Sequence, residues 1–580
     1  MRLSILECGA VGDGVTLCTD AINETITKVN EAGGGYAVVP PGKYLSGTIF
    51  LKSNVYLELE PGAVLLAVLD REAFKTSFIY GSELVNTGII GHGLIDEQRT
   101  GTYSPKEHGS HDTVVIRKSE NVTIKDVTLI HVGGFTIYSC NNTNVTIDNV
   151  TIDSWDCCNG DGIDFMGSKN VVVSNCKVRA GDDAIGLKSG SPGEACENFT
   201  ITNCVLSSKW AGIRIGPESS GDMLNITVSN CVMNDCSDGL KLQLCTDRRF
   251  EDFTFSNINM NNVLRPMFIT SNSYPMCHRS STRPKPGPFK RVLIENVIAH
   301  MNTRPEPGWF ENMIVIQALP ESPIEDITIS NMHVIGVGGG KADTGEGVEI
   351  PELISMAHYP DMLYPPYPSS CMYVKNVNRL RLSNCVFETA TPDERPAIVA
   401  EAVEGMVMSG VESYVDAGLL RHYKVNGLRM YNCEGAITTL SPELAKRWDA
   451  FREVSLREEE KMIENAKMLD QIKGMKVALS TSVASSSGAP DNFEFVYDHK
   501  GGKAYLDFYA EGSIKVTVNG KEAYTWERYT ACEDYCEVVN VGADISDSVS
   551  LGENKISIEI EGGTVGEGRR SSVTIYTDAE

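Results

Sequence analysis

Asn121-Val-Thr-Ile-Lys-Asp-Val127, Asn144-Val-Thr-Ile-Asp-Asn-Val150, Asn170-Val-Val-Val-Ser-Asn-Cys176, Asn198-Phe-Thr-Ile-Thr-Asn-Cys204 and Asn225-Ile-Thr-Val-Ser-Asn-Cys231 are one phrase repeated at intervals of 23, 26, 28 and 27 residues. Its second half returns at Ser256-Asn257-Ile258, Ser330-Asn331-Met332 and Ser383-Asn384-Cys385. A period of this length marks stacked units, each burying its apolar face against its neighbours. Within each unit, short β-branched runs alternate with Gly, Asn, Asp and Ser, leaving no room for a crossover helix. The fold class this specifies is all-β, a right-handed parallel β-helix; an antiparallel sandwich with accidental repetition is the weaker alternative. Asn suits αL geometry at a turn, and its amide can reach the same Asn in the next coil. The Asn-x-Thr triplets at Asn121, Asn144, Asn198 and Asn225 match a glycan acceptor pattern, but their register with the strands reads as architecture.

The repeat also interprets the 17 cysteines. The residue after the turn is Val127, Val150, Cys176, Cys204, Cys231, Ile258, Met332 and Cys385 in turn, so Cys alternates with Val, Ile and Met. Thiols in such a column are small buried hydrophobes, not disulfide or metal ligands. Cys157-Cys158 is too close for an ordinary bridge, which leaves Cys532 and Cys536 as the pairable spacing.

The ends read as caps and an appendage. Residues 1–440 form the solenoid, with an amphipathic helix over Ala21–Val29 and a glycine stop at Gly33-Gly34-Gly35 closing the first coil. Residues 441–489 read as a helical segment, from Ser441-Pro442-Glu443 to about Lys473, followed by a Ser-rich linker at Ser480–Ser487. Residues 490–580 carry short alternating strands and read as a small β-sandwich-like accessory module.

With 51 basic against 77 acidic side chains, the 580-residue chain has a net charge of −26, which argues against nucleic acid as a partner. No apolar run approaches the roughly 18 residues of a membrane span. The first residues lack the apolar core of a secretory signal. Together with the reduced cysteine column, this places the expected location in the cytoplasm, with secretion the alternative if a signal was trimmed away.

Three carboxylates stand out. Asp161 lies in Asn159-Gly160-Asp161-Gly162, and the pair Asp182-Asp183 follows Gly181. The gap from 161 to 182 is 21 residues, close to one coil, so the groups stack on one face. In a regular strand Asp182 and Asp183 would point opposite ways, but Gly181 permits a bend that turns both toward a groove. Carboxylates so grouped raise one another's pKa, which lets one stay protonated as acid while another serves as base. That is the apparatus of glycoside hydrolysis, and a long groove suits a linear sugar chain. An isolated Asp-Gly reads more simply as a turn; three Asp in adjacent coils reverse that preference.

The chain resembles family 28 of the glycoside hydrolases, the polygalacturonase and rhamnogalacturonan-hydrolase family with its pectin-lyase-like solenoid. The likeness rests on Gly9-Ala10-Val11-Gly12-Asp13-Gly14, on Val39-Pro40-Pro41-Gly42-Lys43-Tyr44, on Asn159-Gly160-Asp161 and on Asp182-Asp183. It implies that Asp182 is the general acid and that Asp161 and Asp183 hold the attacking water, with inversion at the anomeric carbon and carboxyls roughly 6.5 to 9.5 Å apart. The implied substrate-binding set is Asn159, Lys188, Trp210, Arg214 and Lys241. No metal or cofactor is implied. Ala211 stands where the family has histidine, and Lys241-Leu242-Gln243 where it has Arg-Ile-Lys; Arg214 is placed to supply the missing charge. Residues 359–404, with Tyr364-Pro365-Pro366-Tyr367 and Asp393-Glu394-Arg395-Pro396-Ala397, resemble a bacterial, exo-acting branch. The expected function is therefore an inverting, exo-acting hydrolase of pectin-derived or related uronic and deoxy-sugar oligosaccharides. A β-helix lyase or epimerase, or a sugar-binding protein that has lost catalysis, are the alternatives.

Overall fold

The computed structural model describes residues 1–70, 74–99, 112–189, 194–271, 286–301, 313–342, 367–439, 475–482, 492–511, 513–526, 538–561 and 572–579. These fall into two compact units, the first within residues 1–440 and the second running from 441 to the end.

The first unit is the expected parallel β-helix. Among the described residues its 37 strands join by parallel pairing, each strand to its counterpart one coil on. The connections take the right-handed sense that strand twist imposes. Register follows the repeat: Val122, Val145, Val171, Phe199, Ile226 and Phe253 align across successive coils. All six are at most 2% exposed. The cysteine column is equally buried, with Cys231 aligned to Ile258, Val297, Met332 and Cys385. A thiol and a branched aliphatic exchange there because the site asks only for a small apolar volume. Hydrogen bonding to Cys176 and burial push the Cys204 thiol up to about 12.

Asparagine does at the turns what the sequence suggests. Asn54, Asn86, Asn121, Asn144, Asn170, Asn198 and Asn225 all have φ between 54° and 60°. Each amide from Asn86 onward donates to the Oδ1 of the Asn one coil earlier, at 2.8 to 3.1 Å. The glycan-like triplets at 121, 144, 198 and 225 are thus rungs of this ladder. After Asn225 the same αL position is held by Asp252, Arg291, Asp326 and Arg379, and ion pairs replace the amide bonds.

Helix α1, Thr19–Glu31, runs two residues beyond the expected Ala21–Val29 at each end. Ile22, Ile26 and Val29 are fully buried against the first coil, closing the core. Space requires the second and third glycines after it: a Cβ on Gly34 would lie 2.5 Å from the Asn54 carbonyl oxygen and one on Gly35 1.7 Å from that of Met1.

The second unit contains two four-stranded antiparallel sheets around one apolar core that includes Leu506, Phe508, Val516, Ile558 and Ile575. Lys476–Ser482 is a strand paired with Ser572–Thr577, inside the stretch read as helix and linker. Its alternation was masked by serines, which sit in a sheet as readily as in a linker when half the strand is exposed. The helix expected from Ser441 to Lys473, the Tyr-Pro loop at Tyr359–Pro366, and Cys532 with Cys536 lie outside the described residues.

Candidate active site

Five consecutive strands of one solenoid face carry the chemistry: β1 (Ile163–Met166), β2 (Ile185–Ser189), β3 (Ala211–Ser219), β4 (Asp238–Leu244) and β5 (Arg265–Ser271). Alternation sends Ile163, Ile185, Ile213, Leu240 and Met267 into the core. Their neighbours point outward, and Asp164, Gly186, Arg214, Lys241 and Phe268 align across the five coils.

The catalytic candidates sit on the corners just before these strands. Asp161 precedes β1, and Asp182 and Asp183 precede β2 in a bend that follows Gly181. The bend needs glycine because a Cβ at 181 would lie 1.8 Å from the Cys157 carbonyl oxygen. One carboxylate oxygen from each of Asp161, Asp182 and Asp183 lies within 4.8 Å of the others. This is closer than the roughly 6.5 to 9.5 Å separation that accompanies inversion, because adjacent coils are held at strand spacing. Asp161 and Asp183 are buried and Asp182 is partly open to solvent.

Lys188 lies beneath the trio, fully enclosed. Its Nζ is 3.1 Å from Asp161 Oδ2 and 3.4 Å from Asp164 Oδ2, and it sits over the Phe135 ring. It therefore neutralises the aspartates instead of meeting a sugar. Of the three carboxylates whose oxygens lie close enough to share a cation, Lys188 pairs with Asp161. Asp164 was missed by sequence reading, although it follows Asp161 by three residues and points outward by alternation. A Cβ on Gly186 would lie 2.0 Å from its Oδ1, so the bare coil above is what lets this carboxyl fit.

Burial sets the electrostatics. It pushes Asp164 well above the usual carboxylate range, and the charge of Asp161 adds to the effect. Asp182 is raised well above its ordinary value by burial and by the charges of Asp161 and Asp183. Asp183 is raised by burial to about 6, with the Arg214 guanidinium holding it down. Neighbouring carboxyls whose environments differ in this way separate into an acid and a base.

Beyond the aspartates the groove turns basic. Asp238 takes a bidentate pair from Arg265, at 2.6 and 2.7 Å, and Lys241 Nζ lies 3.1 Å from its Oδ2. Lys241 is fully buried and stacks over Trp210, which is partly exposed. Neither Asp238 nor Arg265 was singled out in the sequence; their register with Ala211 was the available signal. Ala211 fills the histidine position, and its backbone N–H donates to Asp183 Oδ1 at 3.2 Å. Arg214 is buried, and its Nη1 has no hydrogen-bond partner among the described residues. Asn159 lies exposed on the turn entering Asp161. Farther along, Asp393 and Arg395 pair with each other, and Arg395 Nη1 donates to the Tyr367 carbonyl, so this segment is a braced turn.

Comparison with known proteins agrees with this geometry. The model of the family described as "Glycosyl hydrolases family 28" matches residues 36–353. A probable polygalacturonase of Vitis vinifera is 25% identical over 371 residues, 57% of this chain and 74% of that one. An endo-polygalacturonase of Pectobacterium carotovorum is 28% identical over 287 residues, 42% and 70% of the two chains. Among solved structures, the exopolygalacturonase of Thermotoga maritima covers 74% of this chain and 92% of its own at 17% identity, with a TM-score of 0.42. The family match takes in more than half of the chain and every strand from β1 to β5, and on that ground the protein belongs to glycosyl hydrolases family 28.

Proposed function

We propose that this glycoside hydrolase is an exo-acting enzyme that releases units from uronic-acid-containing oligosaccharides with inversion, although its nearest carboxylate oxygens stand closer than is usual for inverting enzymes. The observation that carries the reading is the change of charge along the groove. Four aspartates with one lysine occupy the coils from Asp161 to Lys188, and three cations, Arg214, Lys241 and Arg265, stand against a single Asp238 on the next three, the last two paired with it. A substrate carboxylate fits the basic side while its glycosidic bond lies over the acidic one. Asp182, whose carboxyl is held toward its protonated form by burial and by the charges of Asp161 and Asp183 and which stands nearest solvent, gives its proton to the leaving oxygen. Asp183 and Asp161 take a proton from a water that attacks the anomeric carbon from the opposite face.

Exo action is supported by the burial of Arg214 and Gln243, which an open cleft for a through-running polymer would leave in water. The fourteen described cysteines are free and ten of them are buried, which supports a reducing, cytoplasmic location and a diet of short oligosaccharides.

Proton NMR of the first anomer released from a defined oligogalacturonide tests the mechanism. The β-anomer of a chain-end unit is the expected product from an α-linked substrate. The α-anomer would replace inversion by retention, internal cleavage would remove the exo assignment, and an unsaturated, ultraviolet-absorbing product would make the protein a lyase.

A further inference from the structure

Ahead of the aspartate corner, the strands Leu94–Asp96, Thr128–Ile130, Thr151–Asp153 and Lys177–Ala180 follow one another in four successive coils, with Asp96, Ile130, Asp153 and Arg179 in one register column. A cavity of about 210 Å³ lies at the ends of these strands. Its described lining contains none of Asp161, Asp182 or Asp183 and no residue of β1 to β5. The segment from Ser154 to Gly160 joins the two regions: Ser154, Asp156 and Cys157 line the cavity, and Gly160 leads into Asp161. Ser154 Oγ donates to the Gly160 carbonyl at 2.6 Å, and the Gly160 N–H donates to the Cys157 carbonyl at 3.1 Å. The wall is therefore held in place before any ligand arrives.

The floor is apolar. Val132 and Cys157 are 2% and 3% exposed and pack on each other apart from the solenoid core, and Ile130 completes the surface. The rim is charged, but its charges are set in pairs. Arg179 Nη1 donates to Asp153 Oδ1 at 3.1 Å, and His131 Nδ1 lies 2.9 Å from Asp96 Oδ1. Arg99 and Asp156 add one charge of each sign. The Arg179 guanidinium lies over the Trp155 ring, 4.3 Å from its centroid, which fixes the cation at the cavity's edge.

This combination selects the ligand. A charged molecule gains from one cation of such a rim what it loses to the carboxylate beside it. A sugar ring lays its C–H face on an apolar floor, while its hydroxyls donate to carboxylates and accept from guanidiniums. It adds to the ion pairs without breaking them. The volume falls below the roughly 300 to 1,000 Å³ of clefts for larger ligands, so it suits one ring.

We infer that this cavity is a second carbohydrate site, outside the groove, for a single uncharged sugar ring. The inference goes beyond the hydrolase reading and does not depend on it, because none of the lining residues takes part in the proposed chemistry.

Calorimetry in an Asp182→Asn background tests it, with methyl β-galactoside as the neutral probe and galacturonate as the charged one. The galactoside is expected to bind with a Kd of about 1 mM. Asp156→Trp, which fills the cavity from an exposed rim position, should weaken that binding by more than about tenfold and leave galacturonate within about twofold. Arg179→Ala, at an exposed strand end, should weaken the galactoside by about fivefold and serves as an independent variant. No galactoside binding, binding that both variants leave unchanged, or a larger loss for galacturonate than for the galactoside would overturn the site. Displacement of the galactoside by an oligogalacturonide would place it in the groove and also overturn the inference. Galactoside binding with the expected dependence on Asp156, without any binding of the oligogalacturonide, would instead count against the proposed substrate and leave the second site standing.

Discussion

Along the asparagine edge, each amide from Asn86 to Asn225 has the same residue one coil away as its partner, and the rungs vary by only 0.3 Å. Along the groove, β1 to β5 place Asp164, Gly186, Arg214, Lys241 and Phe268 in one register column, so no residue meets its own kind. The first arrangement satisfies every group by repetition. The second leaves Asp161 Oδ1, Asp164 Oδ1, Arg214 Nη1 and the Gln243 amide unmade. A solenoid stabilises itself where its coils agree and binds where they differ.

Substitutions on the two edges should therefore separate activity from stability. The largest effect is expected from Asp182→Asn, which lowers kcat by about 10² to 10⁴ with the melting temperature held or raised; unchanged kcat would remove Asp182 as the acid.

Asp183 gives a pH signature. Its folded pKa of about 6 exceeds the ordinary 3.8, so burial favours its neutral form. That contribution to stability is full below about pH 3.8 and is lost as pH rises through about 6. Asp183→Asn should accordingly stabilise the fold at pH 8 by about 1 to 3 kcal/mol, a gain that vanishes near pH 3.5. The wild-type rate should fall on the acid side near pH 6, where the base is protonated, as one limb of a profile belonging to the coupled trio. A gain in stability that is the same at both pH values would contradict this assignment.

On the other edge, Asn170→Ala loses two rungs and puts a Cβ residue at φ 54° without a compensating side-chain bond. Thermal denaturation should show a loss of about 1 to 2 kcal/mol with kcat unaltered; lost activity in a folded variant would mean that the edges are coupled. The smallest effect belongs to Cys204→Val, expected within about 1 kcal/mol of the parent, because the column already accepts Val150 and Ile258.

The Asp161, Asp182 and Asp183 constellation was legible because Gly160 and Gly181 announce close turns and the interval between them equals one coil. The roles of Lys188 and Lys241 were not. Both read as groove cations, and both are enclosed in ion pairs with Asp161, Asp164 and Asp238. Lys188 meets its carboxylates across the coil, 27 and 24 residues away, whereas Lys241 meets Asp238 three residues back on its own strand, which the strand's outward turn at Asp238 makes possible. In the later coils the register is hidden further by loops that stretch successive rungs of the second Asn ladder from 27 to 39, 35 and 53 residues apart.

The sequence by itself determined the coil, its direction of stacking and the apolar columns, including the cysteines, because these follow from periodicity, which is local. It also determined the family likeness, because that resides in short motifs. Only the tertiary structure decided which charges cancel, that Arg214 keeps an unmade donor, and that Asp153 and Arg179 meet at the rim of a cavity. Those outcomes depend on contacts across coils, between residues 22 to 28 positions apart in the chain, and they are set by packing that no window of sequence contains.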